Sequence, residues 1–146
     1  MYSKRNYLDK NHEELLVKVR ELSENGGVKA QLYSELLDAL TINVAREEVL
    51  LSPLIEYLKC RGGEHCDIKL GVISDHAYFF SMARDSMQRA MGNIGKLAQE
   101  LERGVKSGSD EAQTLNELRE HLEIDSEFVY PAGMAAKSLL SHDLES

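Results

Sequence analysis

The chain has 146 residues, 25 of them Asp or Glu against 17 Lys or Arg, for a net charge of −8 with histidine neutral. That length suffices for one domain with a real core, taken as residues 1–146, and is short for two; without a basic cluster, binding to a nucleic-acid backbone is not expected. No apolar run approaches the roughly 20 residues that cross a bilayer, and the opening MYSKRNYLDKNHEE lacks the form of a signal peptide, so a soluble, cytoplasmic protein is the expectation.

Two prolines and few alternating β-branched runs argue against a sheet, whereas apolar residues recur at three and four. The first predicted helix covers about 6–24, with Leu8, Leu15, Leu16, Val19 and Leu22 on one stripe, and ENGG stops it. A second follows over about 29–60 through Leu32, Leu36, Leu40, Leu50, Leu51 and Leu54, with a kink expected at Pro53 because proline removes a helical hydrogen bond.

CRGGEHC ends that helix. A reducing compartment favours Cys60 and Cys66 as free thiols, with a short-loop disulfide as the alternative. A zinc site from Cys60, His65 and Cys66 lacks a fourth nearby ligand.

A third predicted helix, about 68–105, carries Val72, Phe79, Phe80, Ala83, Met87, Met91, Ile94, Leu97 and Leu101. The fourth starts after GVKSGSD, where Asp110 is a candidate cap, and runs through Leu115, Leu118, Leu122, Phe128, Val129, Ala132, Ala136 and Leu139. Four long helices with short connections predict an all-α, antiparallel four-helix bundle. From His76 to the last turn is about 30 residues and from that turn to His121 about 12, a mismatch of roughly 25 Å in level at the helical rise. A bend is expected at Gly92 and Gly95, and the mismatch requires an overhang, a break of the third helix there, or a turn placed elsewhere.

Several polar residues fall on these apolar stripes: His12, Asn43, Glu47, His76, His121 and Asp125. In the second and fourth helices the pair is spaced i, i+4, which puts both members on one face. The two segments NVAREEVLLSP and HLEIDSEFVYP share this plan, each with a proline ten residues after its leading Asn43 or His121. Burying Glu47 and Asp125 without compensation would cost several kcal/mol each. A transition metal is the simplest compensation, since imidazoles and carboxylates together suit iron, manganese or zinc.

The order of these residues, with NHEELLVKV, REEVLLSPLI, SDHAYFF and HLEIDSEFVYP around them, resembles the hemerythrin-like (HHE cation-binding) domain over about residues 5–135. The resemblance implies an up-down four-helix bundle around a non-haem, usually di-iron, centre. It implies that His76 and His121, with bridging Glu47 and Asp125, serve one ion, and that His12 and Asn43 serve the other. Its members bind dioxygen, respond to iron, oxygen or nitric oxide, or act in iron and redox homeostasis. Two departures are specific. Asn43 stands where the family has a histidine, so one strongly held ion is expected rather than two. Phe80 stands where the oxygen carriers have a second histidine, which speaks against reversible oxygen carriage.

The expected protein thus binds iron, with manganese or zinc as substitutes, in one or two ions, and senses or handles metal, dioxygen or nitric oxide. Two alternatives stay open: a metal-free bundle acting as an interaction module, and a mononuclear metal enzyme. A homodimer is compatible with either.

Overall fold

A computed structural model of the chain describes residues 12–25, 27–63 and 69–145. Among these residues there are helices and turns and no strand. The helices are α1 (His12–Glu24), α2 (Ala30–Leu50), α3 (Ser52–Arg61), α4 (Leu70–Leu101), α5 (Asp110–Ile124), a five-residue π turn (Asp125–Val129) and α6 (Tyr130–Glu145). No described helix is long and apolar enough to cross a membrane. The start of the first predicted helix, including Leu8, lies outside the described residues.

The boundaries follow local chemistry. The second predicted helix is interrupted at Leu51, two residues before Pro53, and resumes as α3 with the proline in its first turn, where a missing N–H costs nothing. The cap of α5 is Ser109 rather than Asp110: the Ser109 hydroxyl accepts from the Ala112 N–H at 3.1 Å. The Lys29 ammonium donates to the Leu101 carbonyl at 2.8 Å, satisfying an acceptor that the end of α4 leaves exposed. Of the alternatives for the third helix, a break at the glycines is not found. α4 runs for 32 residues through Gly92 and Gly95, because isolated glycines lower helix stability by only about 1 kcal/mol each.

The chain forms two compact units, Met1–Val44 with Gln88–Leu122, and Ala45–Met87 with Glu123–Ser146. In the first, Leu15 and Val19 of α1, Leu36, Leu40 and Val44 of α2, Ile94, Ala98 and Leu101 of α4, and Leu115 and Leu118 of α5 make one apolar core. In the second, α3 packs on α6, and the buried side chains include Leu51, Leu54, Phe80, Val129, Ala136 and Leu140. Arg61 grips Asp143 with two hydrogen bonds of 2.9 Å, and the Tyr57 hydroxyl donates to the same carboxylate.

Three expectations require correction in the second unit. Val72 and Phe79 are 52% and 56% exposed, and the buried stripe of α4 there is Ile73, Ala77 and Phe80, one residue later. Phe128 is 55% exposed while Val129 and Tyr130 are buried, because the π turn inserts a residue into the helical phase. Cys60 is not a free thiol but disulfide-bonded, which also removes it as a zinc ligand; Cys66 and His65 lie outside the described residues.

Gly133 fixes how closely α6 is approached. A Cβ there would lie 2.5 Å from Leu51 Cδ2 and 2.8 Å from Phe80 Cε2, whereas Gly92 and Gly95 have open space. Gly133→Ala should therefore lower stability by about 1–2 kcal/mol, since overpacking exceeds the gain in helix propensity. Gly92→Ala and Gly95→Ala should each raise it by up to about 1 kcal/mol. Urea denaturation of the three variants checks both signs.

Candidate metal centre

In the first unit, the apolar stripes end in polar side chains. His12 continues the Leu15–Val19 stripe toward the start of α1, Asn43 adjoins Val44 on α2, and His121 follows Leu118 on α5; all three are buried. The His12 and His121 rings meet edge to face, with centroids 4.6 Å apart and planes at 65°. Two imidazoles in contact within an apolar interior form a nitrogen-donor pair of the kind that transition metals take.

In the second unit, Glu47 of α2 and Asp125 of the π turn are both 0% exposed. Glu47 lies one helical turn beyond Asn43 on the unbroken α2, and Asp125 lies four residues beyond His121, where α5 passes into the π turn. Tyr130, also buried, directs its hydroxyl at Glu47 Oε1, 3.5 Å away. Its ring packs edge to face on Phe80, with centroids 6.0 Å apart. Phe80 thus fills core space beside Tyr130 and Gly133.

Five of the six sequence-derived candidates, His12, Asn43, Glu47, His121 and Asp125, are therefore fully or almost fully buried. The sixth, His76, is only half-buried, because α4 turns Ile73, Ala77 and Phe80 inward instead. Within the first unit, the His121 ring meets that of His12.

Comparison with family models, curated proteins and solved structures gave no match.

Tyr130 was missed by helical periodicity. In an α-helix a residue five positions after Asp125 is rotated roughly 140° away from it. The π turn, closed by the Tyr130 N–H donating to the Asp125 carbonyl, brings residues five apart onto one face. The available signal was Pro131: proline lacks the N–H of the regular ladder and its ring clashes with the carbonyl four residues back.

Burial, reinforced by the negative charges of Glu47 and Asp125, raises the Tyr130 phenol far above its ordinary range. Burial and the Glu111 carboxylate do the same for Tyr33, and burial with Asp143 raises Tyr57. A raised folded value favours the protonated phenol, so this contribution to stability is complete below about pH 10 and lost as pH rises toward the folded values. In metal-stripped protein, at least three of the six tyrosines should resist ionisation at about pH 10. Tyrosinate absorbance followed together with helical circular dichroism should show them ionising only as the fold is lost.

Proposed function

We propose that this protein is a hemerythrin-like, up-down four-helix bundle that holds a non-haem metal ion, iron in the first place, through His12, His121 and Glu47. Asp125 adds a second carboxylate, and Asn43 stands as a weak amide donor where a histidine would open a second position. The observation that carries this reading is the buried His12–His121 pair, with ring centroids 4.6 Å apart. It is supported by the ligand types: His12, Glu47 and His121 each offer a buried donor atom suited to a metal.

The donor set fits. Two imidazoles and one carboxylate make the ligand trio of non-haem iron sites and of several zinc sites, and such a trio leaves coordination positions open. An ion held this way supplies redox chemistry and affinity for small diatomic ligands, which matches sensing or handling of metal, dioxygen or nitric oxide. The chain's own part is to exclude water and to fix the donors. Apolar neighbours do the first, since the Leu15–Val19 stripe precedes the centre on α1 and Leu115 and Leu118 precede it on α5. Rigid helices do the second, each side chain springing from helical backbone.

Freshly purified protein should carry close to one ion per chain. His12→Ala and His121→Ala should each remove it, with metal affinity falling at least about 100-fold, whereas His76→Ala should retain it. Elemental analysis and anaerobic iron titration give the result. Absence of stoichiometric metal in the wild type would leave the metal-free interaction module as the better reading. Loss of metal in His76→Ala would restore the ligand partition implied by the resemblance.

Asn43→His places an imidazole one helical turn before Glu47, repeating the arrangement of His121 before Asp125. Stoichiometry in the same titration should rise toward two. Two equally tight ions in the wild type would show that the amide at position 43 is no handicap.

A further inference from the structure

We infer that Tyr130 is a positioning residue of this centre: its hydroxyl holds Oε1 of Glu47, so that the carboxylate presents Oε2 to the ion and binds through one oxygen. The inference rests on the metal reading above and adds how the site selects its carboxylate geometry. Four observations within the second unit carry it.

The first is direct. The Tyr130 hydroxyl lies 3.5 Å from Glu47 Oε1, both side chains being buried. Glu47 is therefore met from one side by a neutral donor, and a carboxylate oxygen engaged by a donor is a poorer metal ligand than its twin. The second is the environment of the phenol. Tyr130 is only 2% exposed, so solvent does not compete with Glu47 for its hydroxyl.

The third is backbone geometry. Only the i→i+5 turn over Asp125–Val129 puts Tyr130 on the face that Asp125 occupies. A regular helix would carry the phenol away from both carboxylates. The fourth is support from behind. Phe80 packs perpendicular to the Tyr130 ring, and the same Phe80 closes on Gly133, where a Cβ would approach within 2.8 Å. The ring is thus held by packing, and its hydroxyl has little freedom to turn from Glu47. An outer residue that orients a ligand in this way is generally worth about 10–100-fold in metal affinity.

Tyr130→Phe removes the hydroxyl and keeps the ring on Phe80. Tyr33→Phe is the control, because Tyr33 likewise donates from a buried ring to a carboxylate, that of Glu111, but in a pair that holds no proposed ligand. Three quantities are measured on each full-length variant: Kd for cobalt(II), the cobalt(II) absorption spectrum, and the melting temperature without metal. Tyr130→Phe should weaken cobalt(II) binding by about 10-fold or more and shift the absorption bands, since the freed Glu47 changes its mode of coordination. Tyr33→Phe should lower the melting temperature while leaving Kd and spectrum as in the wild type.

If wild type and Tyr130→Phe bind cobalt(II) with the same Kd and spectrum, the positioning role is overturned and the metal reading stands. Equal weakening in both variants with unchanged spectra would also overturn it, by showing that affinity follows overall stability. A wild type that binds no metal at all overturns the metal reading itself. Should Tyr130→Phe fail to fold, Phe80→Leu tests the same point by loosening the ring from behind, and an unchanged Kd and spectrum there would count against the inference.

Discussion

The costly feature of this molecule is the burial of carboxylates in a helical interior. Glu47 and Asp125 have no exposed surface, and an ionised carboxylate out of water demands hydrogen bonds or a counter-charge. Much of the local architecture can be understood as meeting that demand. Tyr130 brings a neutral donor to Glu47, and the π turn sets it on the face of Asp125. The apolar stripes around them supply the stability that such burial consumes.

Proline placement shapes both carboxylate-bearing segments. Pro53 and Pro131 each fall ten residues after the leading residue of a repeat, yet the backbone responds differently. At Pro53 the helix is interrupted at Leu51 and restarts as α3. At Pro131 the chain widens into a π turn and continues without a break into α6. Both responses relieve the same clash between a proline ring and the carbonyl four residues earlier. The π turn has the larger consequence, because it rotates Tyr130 inward and Phe128 outward. A π turn within a helix often marks a functional site, and here it bears the buried carboxylate of Asp125.

Charged pairs at the surface play a smaller part. Lys18 with Glu117 and Arg119 with Glu102 are partly exposed, and such pairs contribute at most about 1 kcal/mol. The Arg61–Asp143–Tyr57 group is more constrained, with the Asp143 carboxyl held below the usual carboxylate range by Arg61 and then Tyr57. It fastens the last turn of α3 to the end of α6, beside the disulfide-bonded Cys60.

The sequence by itself determined the helical class, the helix limits among the described residues to within a few positions, and five buried polar positions. His12, Asn43, Glu47, His121 and Asp125 could be found because each interrupts an apolar stripe of period 3.6, and a polar residue on such a stripe goes inside with its neighbours. The phase of α4 was not legible. Val72, His76 and Phe79 form one stripe, and Ile73, Ala77 and Phe80 form another of similar character one residue later. Periodicity cannot choose between adjacent apolar stripes; only a fitting partner can. Gly133 on α6 leaves the space that Phe80 fills, and that contact turns the second stripe inward and leaves His76 half-exposed. The pairing of His121 with His12 and the arrival of Tyr130 beside Glu47 were likewise decided by tertiary packing and the π turn, because a one-dimensional pattern records which face a residue takes but not which residue it meets there.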